Sequence, residues 1–385
     1  MSHRPIAAPP PRLASRPIYA RIDGAALRHN HAVARRHAGA AKIWSVIKAD
    51  AYGHGVLNAA RALQSVADGF ALVELENAQK LRAAGIAQPI LMMEGPYAAA
   101  DLDAFAALNL IPVLHTAWQI DAVLQSDAAP RWPVYLKLNT GMNRLGFDAD
   151  ALPSALARLR ASDRIASITL MSHFADADAD EDSGIERQWS RFQAMSAGLA
   201  LPCSLANSAA LLRFPHAIGD WARLGIMLYG ASPFPDRTSA SQLGLYPVMT
   251  LTSELIAVQT IAAGERIGYG GAFVAEQPMR IGIVAAGYAD GYPRHAPTGT
   301  PILVEGVRTR TLGRVSMDKL CVDLTGLPAK VGAGATVTLW GEGLPADEVA
   351  AAAGTIAYEL FCARAPRVPL AITDLDRSGL AHGQA

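Results

Sequence analysis

Residues 45–56 read SVIKADAYGHGV. The apolar run over residues 43–47 has the length and branching of a buried strand. Gly53 and Gly55 mark a turn. Val56, Ala59, Ala60 and Leu63 then recur at i, i+3, i+4 and i+7, the spacing of one helix face. Strand, turn and helix thus come in succession, and Lys48 falls where the strand gives way to the loop. In α/β folds that rim is where ligands bind.

The same unit repeats outward from this stretch. KIWSVIK, GFALVEL, PILMME, LIPVLH, VYLKLN, ITLMSH, CSLANS and LGIMLYG are eight candidate strands, each but the last followed by an Ala- and Leu-rich helical pattern. Such repetition implies parallel strands joined by crossover helices. Eight units fit a closed (β/α)8 TIM-type barrel better than an open doubly wound sheet. The barrel is expected over residues 18–244, although the first strand, IYARID at 18–23, could join the C-terminal domain instead. From residue 245 the style changes. LTSELIAVQTI, MRIGIVAAGYA, TPILVEGVRTRTLG, LCVDLTG and TVTLWGE are short, β-branched and glycine-punctuated. They predict a mainly β domain over 245–385, with a helical segment near 348–352.

Charged residues are 18% of the 385, hydrophobic ones 51%, and the formal net charge is zero. That composition describes a folded chain and argues against nucleic acid or anionic membrane as partners. No run approaches the ~18 apolar residues of a membrane span. Residues 1–17 contain five prolines and no continuous apolar core, so they read as a flexible leader and not as an export signal. Residues 376–385 read as a disordered tail. Cys203, Cys321 and Cys362 are odd in number and widely spaced, which predicts buried thiols in a reducing cytoplasm.

Polar residues collect at the carboxyl ends of the expected barrel strands. Lys48 comes after the first, Lys137 is near the end of the fifth, His173 ends the sixth, Asn207 and Ser208 end the seventh, and Arg223 with Gly225 introduces the eighth. The rim holds a lysine, a histidine, an arginine and small phosphate-suited groups, with no carboxylate pair. This mixture suits a phosphorylated cofactor held by lysine better than a hydrolase or a metal site. Taken alone, Lys48 equally reads as a lysine snorkelling from a strand end.

These residues also carry a family resemblance. VIKADAYGHG resembles the pyridoxal phosphate lysine motif of alanine racemases. The likeness continues in family order through YLKLNTGMNRLGF, MSHFADAD, ANSAA, RLGIMLYG, IGYGGAF, GYADGYPR and GRVSMD. It implies a two-base interconversion of L- and D-alanine, with Lys48 joined covalently to pyridoxal 5'-phosphate and acting on one face of the substrate. Tyr269 would act on the other, tuned by a chain of Tyr269, His173 and Arg223. A proton taken from one face must be returned on the opposite one, so racemisation needs two such groups. An imine-forming lysine must be neutral to attack, which asks for desolvation or neighbouring positive charge.

The resemblance places Arg223 against the pyridine nitrogen, where a permanent guanidinium charge disfavours ring protonation. It assigns the phosphate to Tyr52, Ser208 and the backbone N–H groups of Gly225 and Ile226, with Asn207 beside them. It assigns the substrate carboxylate to Arg144, Met317 and Asp318, the entrance to Tyr288, and carbamylation to Lys137. Some members place a tyrosine beside a C-terminal RVP, where this chain has Ala365 and Pro366. Tyr269, Tyr288, Met317 and Asp318 would reach the barrel of a second copy, making an obligatory homodimer. A decarboxylase of the same architecture would need a cysteine motif and a glycine-rich phosphate loop that this chain lacks. A cofactor carrier would lack the β domain. A racemase of broader specificity, acting on serine or basic amino acids, is the remaining alternative.

Overall fold

The computed structural model describes residues 15–129 and 131–374. Two compact units emerge, Gly24–Tyr246 on one hand and residues 15–23 with Pro247–Asp374 on the other. The first strand, β1 (Tyr19–Asp23), belongs to the second unit, where it pairs within a mainly antiparallel sheet.

The larger unit is a closed barrel of eight parallel strands. In order these are β2 (Lys42–Val46), β3 (Gly69–Leu72), β4 (Ile90–Met92), β5 (Leu110–Leu114), β6 (Trp132–Lys137), β7 (Ile165–Met171), β8 (Cys203–Ser204) and β9 (Trp221–Leu224). β9 closes the ring on β2, with Lys42 opposite Trp221. The helix Val56–Leu63 buries Val56, Ala59, Ala60 and Leu63, the face its spacing predicts. Aromatic side chains fill the interior. The Trp44 indole stacks on Trp221 at 4.2 Å and donates to the Tyr135 hydroxyl at 3.1 Å. Gly69 is required beside it, because a Cβ there would lie 2.3 Å from the Trp44 ring.

One strand lies earlier than its sequence indicates. LGIMLYG reads as the eighth strand, yet β9 ends at Leu224 and residues Ile226–Tyr229 form a 3-10 turn. Hydrophobicity misleads here: the apolar run is buried as the cover of the rim, while the strand itself is the more polar WARL. Arg223 therefore sits within the last strand and does not introduce it.

The second unit continues with β10 (Met249–Ile261), β11 (Arg266–Ile267), β12 (Phe273–Val274), β13 (Met279–Val284), β14 (Pro301–Val304), β15 (Val307–Leu312), β16 (Leu320–Asp323), β17 (Thr336–Trp340) and β18 (Leu370–Thr373). The sheet order is β13-β16-β15-β14-β17-β10-β1-β18, and β13 also pairs with β10. Six strands thus close on themselves, while β1 and β18 extend from β10. The long β10 manages this by a register shift between Leu255 and Ala257, which bends it.

Residues 1–14 of the expected leader and the whole expected tail lie outside the described residues. Arg16 contradicts a free leader, since its guanidinium is held by the Asp290 carboxylate. Cys203 and Cys321 are half-buried and Cys362 is exposed, so the reading of three buried thiols fails; α-helix Ala357–Cys362 ends with that thiol on its outer side. Among the described residues no helix is long and apolar enough to cross a membrane.

Candidate active site

Lys48 stands at the carboxyl end of β2, half-buried, at the start of an unusual piece of backbone. Ala49, Asp50, Ala51 and Tyr52 have φ of 53, 52, 55 and 53°, one full turn in the left-handed region without a glycine. Such a conformation costs roughly 1–2 kcal/mol per residue. The sequence assigns the tight turn to Gly53 and Gly55, but it begins four residues before the first of them. Four backbone bonds span the turn, from Ala51 N to Ile47 O, Gly53 N to Ala49 O, His54 N to Ala51 O and Gly55 N to Asp50 O. The Asp50 carboxylate then takes the Val56 N–H at 2.8 Å, at the start of the next helix.

The far end of the turn delivers Tyr52 to a second group of residues. Its ring stacks on Tyr229 at 4.7 Å. Its hydroxyl faces Gly225 so closely that a Cβ there would lie 2.4 Å from it. The Gly225 N–H in turn donates to Ser208 Oγ at 3.3 Å. A phenol, a hydroxyl and the backbone opening the 3-10 turn at Ile226 therefore converge, a donor set that fits a phosphate. Asn207 is spent on structure: its Oδ1 accepts from Ala210 N at 2.9 Å and its Nδ2 donates to Phe174 O at 3.3 Å, capping the helix Ser208–Arg213.

Arg223 is buried without a carboxylate. Its Nη1 donates to Ser204 O and Oγ at 2.7 and 2.9 Å. Its Nη2 donates to Ser172 O, to Leu205 O and to His173 Nδ1 at 3.1 Å. Nε–H is then the guanidinium donor left without an acceptor among the described residues, which fits an unprotonated ring nitrogen. Burial lowers the Arg223 pKa to about 10, so it stays charged at neutral pH. Because His173 Nδ1 accepts, its proton resides on Nε2. Burial, then Arg223, Lys137, Arg144 and Lys48, push the His173 pKa well below its ordinary value, so the ring is neutral.

Lys137 is buried beside them, in a pocket shared with Thr140, Met142, Arg144, Ser172 and His173. Burial lowers its pKa to about 8, helped by Arg223, Arg144 and Lys48 against the pull of Glu94. Its amine has no hydrogen-bond partner among the described residues. Arg144 is exposed at the mouth. The rim thus concentrates cationic groups, an arrangement that calls for an anion.

Three further titratable residues, which the sequence reading passes over, also follow barrel strands. Glu74 comes after β3 and Glu94 after β4, with His115 after β5. Glu74 Oε1 accepts the Ala49 N–H at 2.8 Å. Glu94 accepts from the Tyr97 hydroxyl, and its carbonyl receives His115 Nε2 at 3.1 Å. Each is the first charged or titratable residue after an apolar run, the same signal that singles out Lys48.

The remaining candidates lie on the β unit. Tyr269 is 72% exposed on the turn Tyr269–Gly271, which rests against Arg314. Tyr288, Met317 and Asp318 are brought together by backbone bonds from Tyr288 N to Ser316 O and from Ala289 N to Met317 O. Gly287 permits this approach, since a Cβ there would lie 2.3 Å from Ser316 O. The fully buried Asp290 carboxylate locks the cluster, accepting from Arg16 Nη2, Arg367 Nε and Gly287 N at 2.9, 2.7 and 2.9 Å. Arg367 also donates to Asp318 Oδ1 at 2.7 Å. Where some relatives would have a tyrosine, the Ala365 N–H donates to Asp290 O.

Residues 22–233 match the family model of the alanine racemase N-terminal domain and 248–372 that of the C-terminal domain. An alanine racemase of Nitrosomonas europaea is 55% identical over 358 residues, covering 92% of this chain and 98% of its own. A catabolic alanine racemase of Salmonella typhimurium is 51% identical over 359 residues, covering 93% and 100%. The crystal structure of biosynthetic alanine racemase from Pseudomonas aeruginosa superposes with a TM-score of 0.90 at 46% identity, covering 93% of this chain and 99% of that one. The structure of alanine racemase from Acinetobacter baumannii gives 0.87 at 37%, covering 93% and 100%. With both halves of the chain matched in order and at this identity, the protein belongs to the alanine racemase family.

Proposed function

We propose that this protein interconverts L- and D-alanine with pyridoxal 5'-phosphate as cofactor. The observation that carries the reading is the convergence, at one barrel rim, of Lys48, the Tyr52–Ser208–Gly225 donor set and an Arg223 whose Nε–H is unspent. Lys48 would hold the cofactor covalently, Tyr52, Ser208 and the N–H groups of Gly225 and Ile226 would hold its phosphate, and Arg223, through its unspent Nε–H, would serve its ring nitrogen. When bound, the cofactor supplies an electron sink that makes the alanine Cα proton removable.

Lys48 Nζ then takes or returns that proton on one face, and the Tyr269 hydroxyl does so on the other. His173, neutral and carrying its proton on Nε2, donates to the phenol oxygen and stabilises it when deprotonated. Arg144 meets the substrate carboxylate, and Met317 and Asp318 complete that pocket behind Tyr288. Lys137, with part of its amine neutral near pH 8, adds carbon dioxide and gives up a proton to solvent, becoming a carbamate anion able to hold Arg144. Tyr269, Tyr288, Met317 and Asp318 come to each barrel from a second copy of the chain, so the active form is a homodimer. The protein works in the cytoplasm.

Incubation with L-alanine in D2O tests the reading, following chirality and deuterium at Cα together. Deuterium entering D-alanine is the expected result. Exchange with full retention would remove Tyr269 from the mechanism. No exchange with alanine, but turnover of serine or lysine, would replace the substrate.

A further inference from the structure

The left-handed turn after Lys48 needs something to hold it, and its own residues do not suffice. Ala49, Asp50, Ala51 and Tyr52 all carry a Cβ, and none has the local preference for positive φ that glycine has. Two side chains from outside the turn grip its two ends. Glu74 occupies the residue before the helix Leu75–Ala83, where a side chain ordinarily caps the helix, yet it makes no cap bond there. Its Oε1 reaches instead to the Ala49 N–H at 2.8 Å. At the other end His54 is wholly buried, and its Nδ1 lies 3.0 Å from Ala51 O and 2.8 Å from Tyr52 O. Both are acceptors, so Nδ1 carries the proton and donates to the two carbonyls. The His54 ring also packs at 4.5 Å on Tyr229, the ring on which Tyr52 stacks.

We infer that Glu74 and His54 are positioning residues that clamp residues 49–52 in their left-handed form, and that this clamp fixes the spacing between Lys48 and the Tyr52 hydroxyl. The inference rests on the reading of those two groups as the anchors for opposite ends of pyridoxal phosphate. Glu74 acts through Oε1 alone: its second oxygen is buried with no hydrogen-bond partner among the described residues.

The test uses the full chain, with two readouts: hydrogen exchange of the amides of Ala51, Gly53 and Gly55 in the protein free of cofactor, and the dissociation constant for pyridoxal phosphate. Glu74→Ala and His54→Leu should expose those amides and weaken the cofactor about tenfold, the size of one lost charge-assisted or shared bond. Glu74→Gln retains an acceptor and His54→Asn retains a donor near the position of Nδ1, so both should recover most of the loss. The decisive variant combines Glu74→Ala with Ala49→Gly. Ala49 is exposed, so the glycine removes the left-handed penalty without opening a cavity. Protection and cofactor affinity should both rise above those of Glu74→Ala alone, which a general loss of packing would not produce.

Unchanged exchange in Glu74→Ala, or no recovery on adding Ala49→Gly, would overturn the clamp. Should Glu74→Ala fail to fold, folding of the double variant supports the inference and its failure overturns it. If the unaltered protein takes up no pyridoxal phosphate, the cofactor reading falls, while the exchange data still judge the clamp.

Discussion

Lys137 is a buried cation among cations, and that position dictates its chemistry. Its pKa near 8 in the folded state, against an ordinary 10.5, means that protonation opposes folding. The penalty is full below about 8 and fades as pH climbs from there toward 10.5. Stability of the unaltered protein should therefore gain on Lys137→Met between pH 7 and 9, as read by urea titration at each pH. The proposed carbamate would consume the neutral amine and, if formed only in the folded state, would stabilise it by mass action. Added bicarbonate at pH 8 should raise the melting temperature by about 2–4 °C. The Lys137→Met protein should show no such rise. Its sequence neighbours announce little of this. Lys137 is legible as a rim residue because it ends an apolar run, but its lowered pKa comes from burial and from Arg223 and Arg144, brought to it by folding. Glu74 and Glu94 carry the same strand-end signal, yet a rim read as anion-binding gives weight to basic groups and hides them.

At the scale of elements, periodicity predicts what is periodic. Strand, turn and helix can be read seven times over because buried faces repeat, and β2 through β8 each overlap the run that marks them, although β6 and β7 start two and three residues ahead of theirs. Two failures have a common cause. The turn at 49–52 is written in Ala, Asp, Ala and Tyr, of which only Asp tolerates its conformation at all well, so it depends on contacts that folding supplies, those from Glu74 and His54 among them. The last strand is displaced because LGIMLYG is more apolar than WARL, and burial over the rim is indistinguishable from burial in the sheet. Where β9 meets that 3-10 turn, Gly225 gives a direct test. A methyl at this point would press into the Tyr52 hydroxyl, and overpacking of this kind costs ~1–3 kcal/mol. Gly225→Ala should fold, with an unchanged far-ultraviolet dichroism spectrum, yet bind pyridoxal phosphate ~10–100-fold more weakly in a fluorescence titration.

For the whole molecule, the change of style near residue 245 marks the second unit, whereas composition cannot tell that β1 pairs with β10 and β18 across more than two hundred residues. Nor can it show that Arg16 meets Asp290. That carboxylate is fully buried. Burial alone would raise its pKa, but Arg16, the Gly287 N–H and Arg367 outweigh it and hold the value below normal. The stability it confers is thus present above the ordinary carboxylate pKa and lost as pH falls through the depressed one. Asp290→Asn should cost ~1–3 kcal/mol at pH 7, since the carboxylate is buried but Arg16 and Arg367 are part-exposed, and the deficit should shrink in urea titrations carried below about pH 4.

Whether Lys48 and Tyr269 serve one site from the same chain or from two copies is itself testable. Lys48→Ala and Tyr269→Phe each remove one of the two bases, and each homodimer should be nearly inactive. Mixed, dissociated and reassociated at random, half of the dimers are mixed. If sites are shared, each mixed dimer pairs the intact barrel of one chain with the intact tyrosine of the other at one of its two sites. Racemisation should then return to about a quarter of the unaltered rate, with the second site of each mixed dimer doubly defective. If each site were built within a single chain, every site would carry a defect whatever the pairing, and mixing would restore nothing. Polarimetry on the mixture, against each variant taken alone through the same dissociation, separates the two arrangements.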